Sequence, residues 1–446
     1  MRLLAIALLV SLLAASGPTA GAAAISRSAA ASRHVLEGGL TVIVKPNPAS
    51  DLVVVEALVR AGSRLEESAQ SGITFFVRSM LVRGTHRRSA DQIAQTIEGI
   101  GGLLGGGTGA DFTSLYAVTP GRHLDLGMDL IADLLTNARF DHQDVETQRG
   151  VSLSRIRQNA DQPLQRAVDL LGAALYPFHP YAQPILGTPE TVAALTREQL
   201  VEFYQAHFTA SNTVLVVAGG TTEAQALEKA GRAFGGIRAG PLPRRIRWLR
   251  LVERALVPPL ASPLEVRETR PAAAAWIAVG YLGVAAGHRD FAALRVLNAI
   301  LGEGMSSRLF TEIRDRRGLA YQVGSAFLVR SGPGHIRLSA GTDPSTLSVV
   351  TAAMLREVER LRAEAPPADE LERAKRGIIG RYALAREELE AQAFYLGWYE
   401  ILGVGFDYDE RFSDEIGRVT AAEVLRAAQR YLAVPALAVV APPEAR

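Results

Sequence analysis

The chain repeats itself once, and this duplication limits the fold more than any other feature. VETQRGVSLSRIRQ begins at Val145 and LERAKRGIIGRYAL at Leu371; their Arg-Gly pairs, at Arg149 and Arg376, are 227 residues apart (376 − 149). A second match follows the first. LTREQLVEFYQAHF runs into VLVVAGG, VTAAEVLRAAQRYL runs into ALAVVAPP, and Thr196 and Thr420 are 224 apart (420 − 196). Each threonine stands where a helix N-cap is expected, with Glu198 or Glu423 in the first turn. Two copies of this length mean duplicated domains, not a solenoid. At 446 residues and 48% hydrophobic, the chain has apolar material for both cores.

Each half mixes strands and helices without regular parallel alternation. Residues 40–44, 53–59 and 214–217 read as strands in the first half, 275–279 and 336–340 in the second, with helical stretches such as 124–135 and 352–362 between them. The order predicts an α+β fold of two homologous domains, each a mostly antiparallel sheet with helices packed on one face. We place the first domain at 33–235 and the second at 264–446. The connecting 236–263 is a linker by its prolines, Pro241, Pro243, Pro258, Pro259 and Pro263.

Residues 1–24 have the form of a secretory signal: Arg2, an apolar stretch from Leu3 to Ala15, and small residues up to a cleavage point near Ala22 or Ala24. The apolar stretch is too short for a typical span, and no later segment supplies one. An exported, periplasmic protein with no stable membrane span after cleavage is the expectation. There is no cysteine, which removes thiolate metal sites and cysteine nucleophiles. The formal net charge of +2 gives no ground for nucleic-acid binding. The basic run Arg244, Arg245, Arg247, Arg250 and Arg254 is broken by apolar residues and flanked by prolines, as in a solvated linker.

GITFFVRSMLVRGT, from Gly72 to Thr85, carries two helix faces. Ile73, Phe76, Val77, Met80 and Leu81 form a buried stripe, and Phe75, Arg78 and Ser79 share a second face at i, i+3 and i+4. That segment, together with ETQRGVSLSRIRQ, the duplication, and the late stretch GEGMSSRLFTEIRDRRGLAYQVGSAF, resembles the pitrilysin or insulinase-like zinc peptidases. The nearest group is the short, processing-peptidase-like branch with two domains per chain. The resemblance covers essentially everything after the export segment.

In that family an inverted motif, H-x-x-E-H, and a glutamate some 75 residues downstream hold the zinc and the general base. The resemblance places the first histidine at Phe75, the base at Arg78, the second histidine at Ser79 and the distal glutamate at Arg155, while the neighbouring residues survive. None of the four is a good zinc ligand, and a guanidinium repels the metal. The eight histidines, at 34, 86, 123, 142, 179, 207, 288 and 335, include no pair three or four apart. No metal or other cofactor is therefore expected in this chain.

The resemblance also implies that Arg314 and Tyr321, seven residues apart, are the pair that the second domain closes over substrate. A guanidinium can fork onto substrate carbonyls, and a phenol can donate to a developing oxyanion. The same comparison makes this chain half of a clamshell whose zinc sits in a paralogous partner subunit, acting on peptides. The alternative is a catalytically inactive scaffold or peptide-binding protein of the same fold. Metal-free hydrolysis has little to rest on: there is no G-x-S-x-G elbow, and Asp111 has no adjacent carboxylate. For the glycine cluster from Gly99 to Gly109 the resemblance implies a sheet edge that a peptide joins, while the glycines themselves equally suit a loose loop over the chamber.

Overall fold

The run LVVVEALV is apolar at nearly every position, and a strand of that kind must be covered on both faces. The structure, a computed structural model, describes residues 30–240 and 257–443; the expected export segment and the basic run at 244–254 lie outside the described residues. The first half contains β1 (Ser32–Val35), β2 (Thr41–Pro46), β3 (Leu52–Val59), α1 (Ile73–Leu81), α2 (Ala90–Glu98), β4 (Leu103–Gly105), β5 (Thr113–Pro120), α3 (Leu124–Thr136), α4 (His142–Ala160), α5 (Pro163–Leu175), α6 (Pro189–Ala194), α7 (Arg197–His207), β6 (Thr213–Gly219) and α8 (Glu223–Phe234). The second contains β7 (Leu264–Thr269), β8 (Ala275–Leu282), α9 (Phe291–Gly302), a π-helical turn (Phe310–Asp315), β9 (Ala320–Leu328), β10 (His335–Thr342), α10 (Leu347–Ala363), α11 (Ala368–Ala385), α12 (Leu389–Leu402), α13 (Tyr408–Arg418), α14 (Ala421–Tyr431) and β11 (Ala436–Ala441).

The six-stranded sheet has the order β1-β2-β6-β3-β5-β4, and the five-stranded sheet β7-β11-β8-β10-β9. Only β2 with β6 and β7 with β11 run parallel. The fold is thus α+β with two alike, mostly antiparallel domains, as the duplication predicts. Thr196 and Thr420 both cap their helices, accepting from the backbone N–H of Gln199 and Glu423 within capping boxes.

On one face of the first sheet, Val53, Val55, Ala57 and Val59 share a buried core with Met128, Ile131 and Leu135 of α3, which packs on β3 and β5, and with Ile73, Phe76, Val77 and Met80 of α1. On the other, Val54 and Leu58 meet Ala393, Leu396 and Ile401 of α12, a helix from the second half. The relation is reciprocal. Ala278, Ala436, Ala438 and Val440 on the second sheet are covered by Ala167, Leu171 and Leu175 of α5, from the first half. Two glycines permit these contacts. A Cβ at Gly397 would lie 2.3 Å from Leu58 Cδ1, and one at Gly280 would lie 2.7 Å from Leu175 Cδ1. Each half therefore keeps its own helices on one face and lends one helix to the other half. Asp111 adds a polar tie between them, accepting from Tyr181 Oη at 2.7 Å and from the Ser331 amide at 3.3 Å.

Candidate functional site: a zinc-peptidase scaffold without metal ligands

Helix α1 is held at its start by a buried carboxylate. Glu66 accepts from the amides of Gly72 and Thr74, at 2.8 and 3.0 Å, and satisfies donors that a helix N-terminus leaves free. Gly72 takes a left-handed φ of +92°, and a Cβ there would lie 2.6 Å from the Leu186 carbonyl. The stripe facing the core fixes the rotation of the helix, so Phe75 and Arg78 turn toward a cleft of about 780 Å³. Arg155, on α4, lines the same cleft. Its far wall carries Arg330 and His335 from the second half.

Each of the four positions that the resemblance assigns to the metal site has another occupation. Ser79 is buried, and its hydroxyl donates back to the Phe75 carbonyl at 2.9 Å. The Arg155 guanidinium lies 5.3 Å from the Phe75 ring centre. Arg78 Nη2 donates to the Gly106 carbonyl at 2.7 Å, while its buried Nε has no hydrogen-bond partner. Burial, and next the like charge of Arg155, hold the Arg78 guanidinium below the ordinary arginine value. A ring, two cations and a hydroxyl committed to its own helix are not a zinc donor set. Among the described residues, no group of three or more His, Cys, Asp or Glu side chains is gathered to hold a metal ion.

The glycine cluster becomes an edge. Leu103–Gly105 form β4, the outer strand of the first sheet. Gly106 follows with φ +144°; a Cβ there would lie 2.1 Å from the Ser114 carbonyl, so only glycine fits. The Arg78 bond to Gly106 ties this edge to α1.

Arg314 and Tyr321 meet as well, at a separate place. The Arg314 guanidinium is 4.9 Å from the ring centres of both Phe310 and Tyr321. The expected helix through this segment is a π-helical turn, a form found often at functional sites. Gly318, at φ +59°, ends it, whereas the Ser307 hydroxyl donates to Gly304 instead of capping. In the register of β9 against β10, Ala320 faces Thr342 and Gln322 faces Gly341, leaving Tyr321 as the extra residue of a β-bulge. Bulges on edge strands re-aim side chains, and Tyr321 is 78% exposed. The pair does not line the cleft of Phe75, Arg78 and Arg155, which β9 reaches only at Leu328. Seven residue steps of strand, roughly 23 Å, separate Tyr321 from Leu328 along β9. The bulge and the exchanged helices carry no signal in the one-dimensional pattern.

Two alike α+β domains around a shared cleft define a peptidase-type scaffold, and the four positions that the resemblance assigns to metal carry a ring, two cations and a hydroxyl. Known proteins share this build. A profile described as Insulinase (Peptidase family M16) matches residues 41–189, and one described as Peptidase M16 inactive domain matches residues 194–378. An uncharacterized zinc protease of Mycobacterium leprae is 31% identical over 414 residues, covering 91% of this chain and 90% of the relative. One from Bacillus subtilis is 27% identical over 370 residues, covering 83% and 88%. Among solved structures, a peptidase M16 inactive domain from Pseudomonas fluorescens aligns with a TM-score of 0.83 at 20% identity, over 93% of this chain and 99% of that one. A protease from Helicobacter pylori gives 0.84 at 20%, over 93% and 100%. The chain belongs to the M16, or insulinase, peptidase family.

Proposed function

We propose that this chain is the non-zinc subunit of an exported, periplasmic heterodimeric M16 peptidase. A paralogous partner would carry the intact H-x-x-E-H motif and distal glutamate; its metal would activate water there. This chain contributes half of the chamber and a grip on the peptide. Arg314, made rigid between two rings, can fork onto peptide carbonyls, and Tyr321 can donate its phenolic proton to the carbonyl oxygen as charge develops. The observation that carries the reading is an asymmetry. The positions that the resemblance assigns to metal carry a ring, two cations and a hydroxyl, while Arg314 and Tyr321 are in contact, exposed and outside the lining of that cleft.

The test is reconstitution. The chain is co-expressed with a paralogue bearing the complete motif, and the pair is purified and assayed on unfolded peptides. Co-purification, with turnover that falls when Arg314→Ala or Tyr321→Phe is introduced here, supports the proposal. Full turnover by the partner alone overturns it. A second reading is favoured by the open cleft itself: an inactive peptide-binding scaffold, which would bind the same peptides without cleavage in any combination.

A further inference from the structure

We infer that the cleft at the replaced metal positions is a carboxylate-binding site, with Arg78 and Arg155 as its paired cations. A peptide C-terminus or an acidic side chain supplies the matching group. The inference shares with the proposed function only the entry of peptides into this chamber, and it holds with or without a zinc-bearing partner.

Arg78 is the central observation. Its guanidinium is mostly buried, donates once to the Gly106 carbonyl, and leaves Nε buried without a partner. Arg155 points into the same cleft, propped on the Phe75 ring. Among the described residues neither guanidinium meets a carboxylate at ion-pair distance. Two like charges side by side, one with an orphaned donor, are costly until an anion arrives. Planar guanidinium donors match a carboxylate in fork geometry, a contact with roughly twice the strength of a neutral hydrogen bond.

The cleft's own acids do not cancel this charge. Asp169 lines it, but burial raises its pKa and so favours the neutral form, and it already accepts from Gln165 at 2.8 Å. Glu190 is exposed at the rim. Arg330 adds a third cation on the opposite wall, its Nε also buried without a partner. The charge that a metal supplies in active relatives is here supplied by fixed guanidiniums, which bind an anion but cannot activate water.

The experiment uses the purified chain alone and three fluorescent octapeptides: one with a free C-terminus, the same peptide as its C-terminal amide, and the amide with an internal glutamate. Anisotropy titration is expected to give the free acid at least about tenfold tighter binding than the plain amide. Recovery of affinity by the glutamate-bearing amide assigns acidic side chains to the site as well, and its failure to recover restricts the site to C-termini; both outcomes retain a carboxylate ligand. Arg155→Gln, at an exposed position that leaves the core intact, and Arg78→Gln should each abolish the preference. Equal affinity for all three peptides, or a preference that survives both substitutions, overturns the inference. Because no partner enters the assay, its result is independent of whether a heterodimer forms.

Discussion

The Arg155 guanidinium lies 5.3 Å from the centre of the Phe75 ring, so two positions that the family resemblance assigns to a zinc-binding glutamate and histidine are joined here by a cation–π contact. Such a contact stabilises by about 0.5–1 kcal/mol at a partly exposed site. The two helices, α1 and α4, pack together, and the contact is confined to that seam.

That locality predicts a gain of function. The combined substitutions Phe75→His, Arg78→Glu, Ser79→His and Arg155→Glu should restore a zinc donor set on an unchanged backbone. Metal analysis after dialysis should find about one zinc per variant chain. The parent chain should stay at background. One tightly held zinc in the parent would mean that metal binds despite the four replacements.

Arg314 and Tyr321 are exposed and bear little of the fold. Arg314→Lys should therefore leave the denaturation midpoint nearly unchanged, within about 0.5 kcal/mol. In the reconstituted complex it should lower kcat/KM by roughly tenfold or more, since an ammonium has neither the planar fork nor the stacking between Phe310 and Tyr321. A stability loss as large as the activity loss would assign the residue to folding instead.

The exchanged helices make the halves interdependent. Gly397→Val would force a side chain against Leu58 and Val216 across the α12 contact. Overpacking of this kind costs about 1–3 kcal/mol. Urea denaturation should show the loss, and limited proteolysis should cut faster between the halves. An unchanged midpoint would mean that α12 is not held tightly on the first sheet.

Glu56 should give the fold a pH dependence. It sits in the middle of β3, its Oε2 buried without a partner, beside a pocket that Glu390 also lines. Burial first, and then the charge of Glu390, push its carboxyl from 4.5 up to about 8. The folded state therefore keeps a proton that the unfolded state releases. Its contribution is fully present below about pH 4.5 and is lost as pH rises toward 8. The loss is on the order of 3 kcal/mol by pH 7. Glu56→Gln, an isostere of the neutral acid, should flatten that slope in denaturation midpoints measured from pH 5 to 8. Parallel pH profiles for the two proteins would show that Glu56 is ionised in the fold.

Much of this molecule is legible in its sequence. The duplicated phrases set two alike domains, and the 73–81 stripe sets which face of α1 carries Phe75, Arg78 and Ser79. Helix rotation follows from the period of burial, so spacing alone names the side chains turned toward the cleft. Arg314 and Tyr321 are singled out as a pair only by the resemblance to the family, not by their spacing alone. The continuous apolar run in β3 even requires cover on both faces.

What covers that run is not written there. The hydrophobic effect asks only that apolar area leave water, and α5 and α12 satisfy that demand on either sheet. Only the assembled tertiary structure decides that each crosses to the other half. The same holds for Tyr321, whose direction comes from a bulge created by the register of β9 on β10. Pairing between distant strands is a long-range choice, and the local sequence carries no record of it.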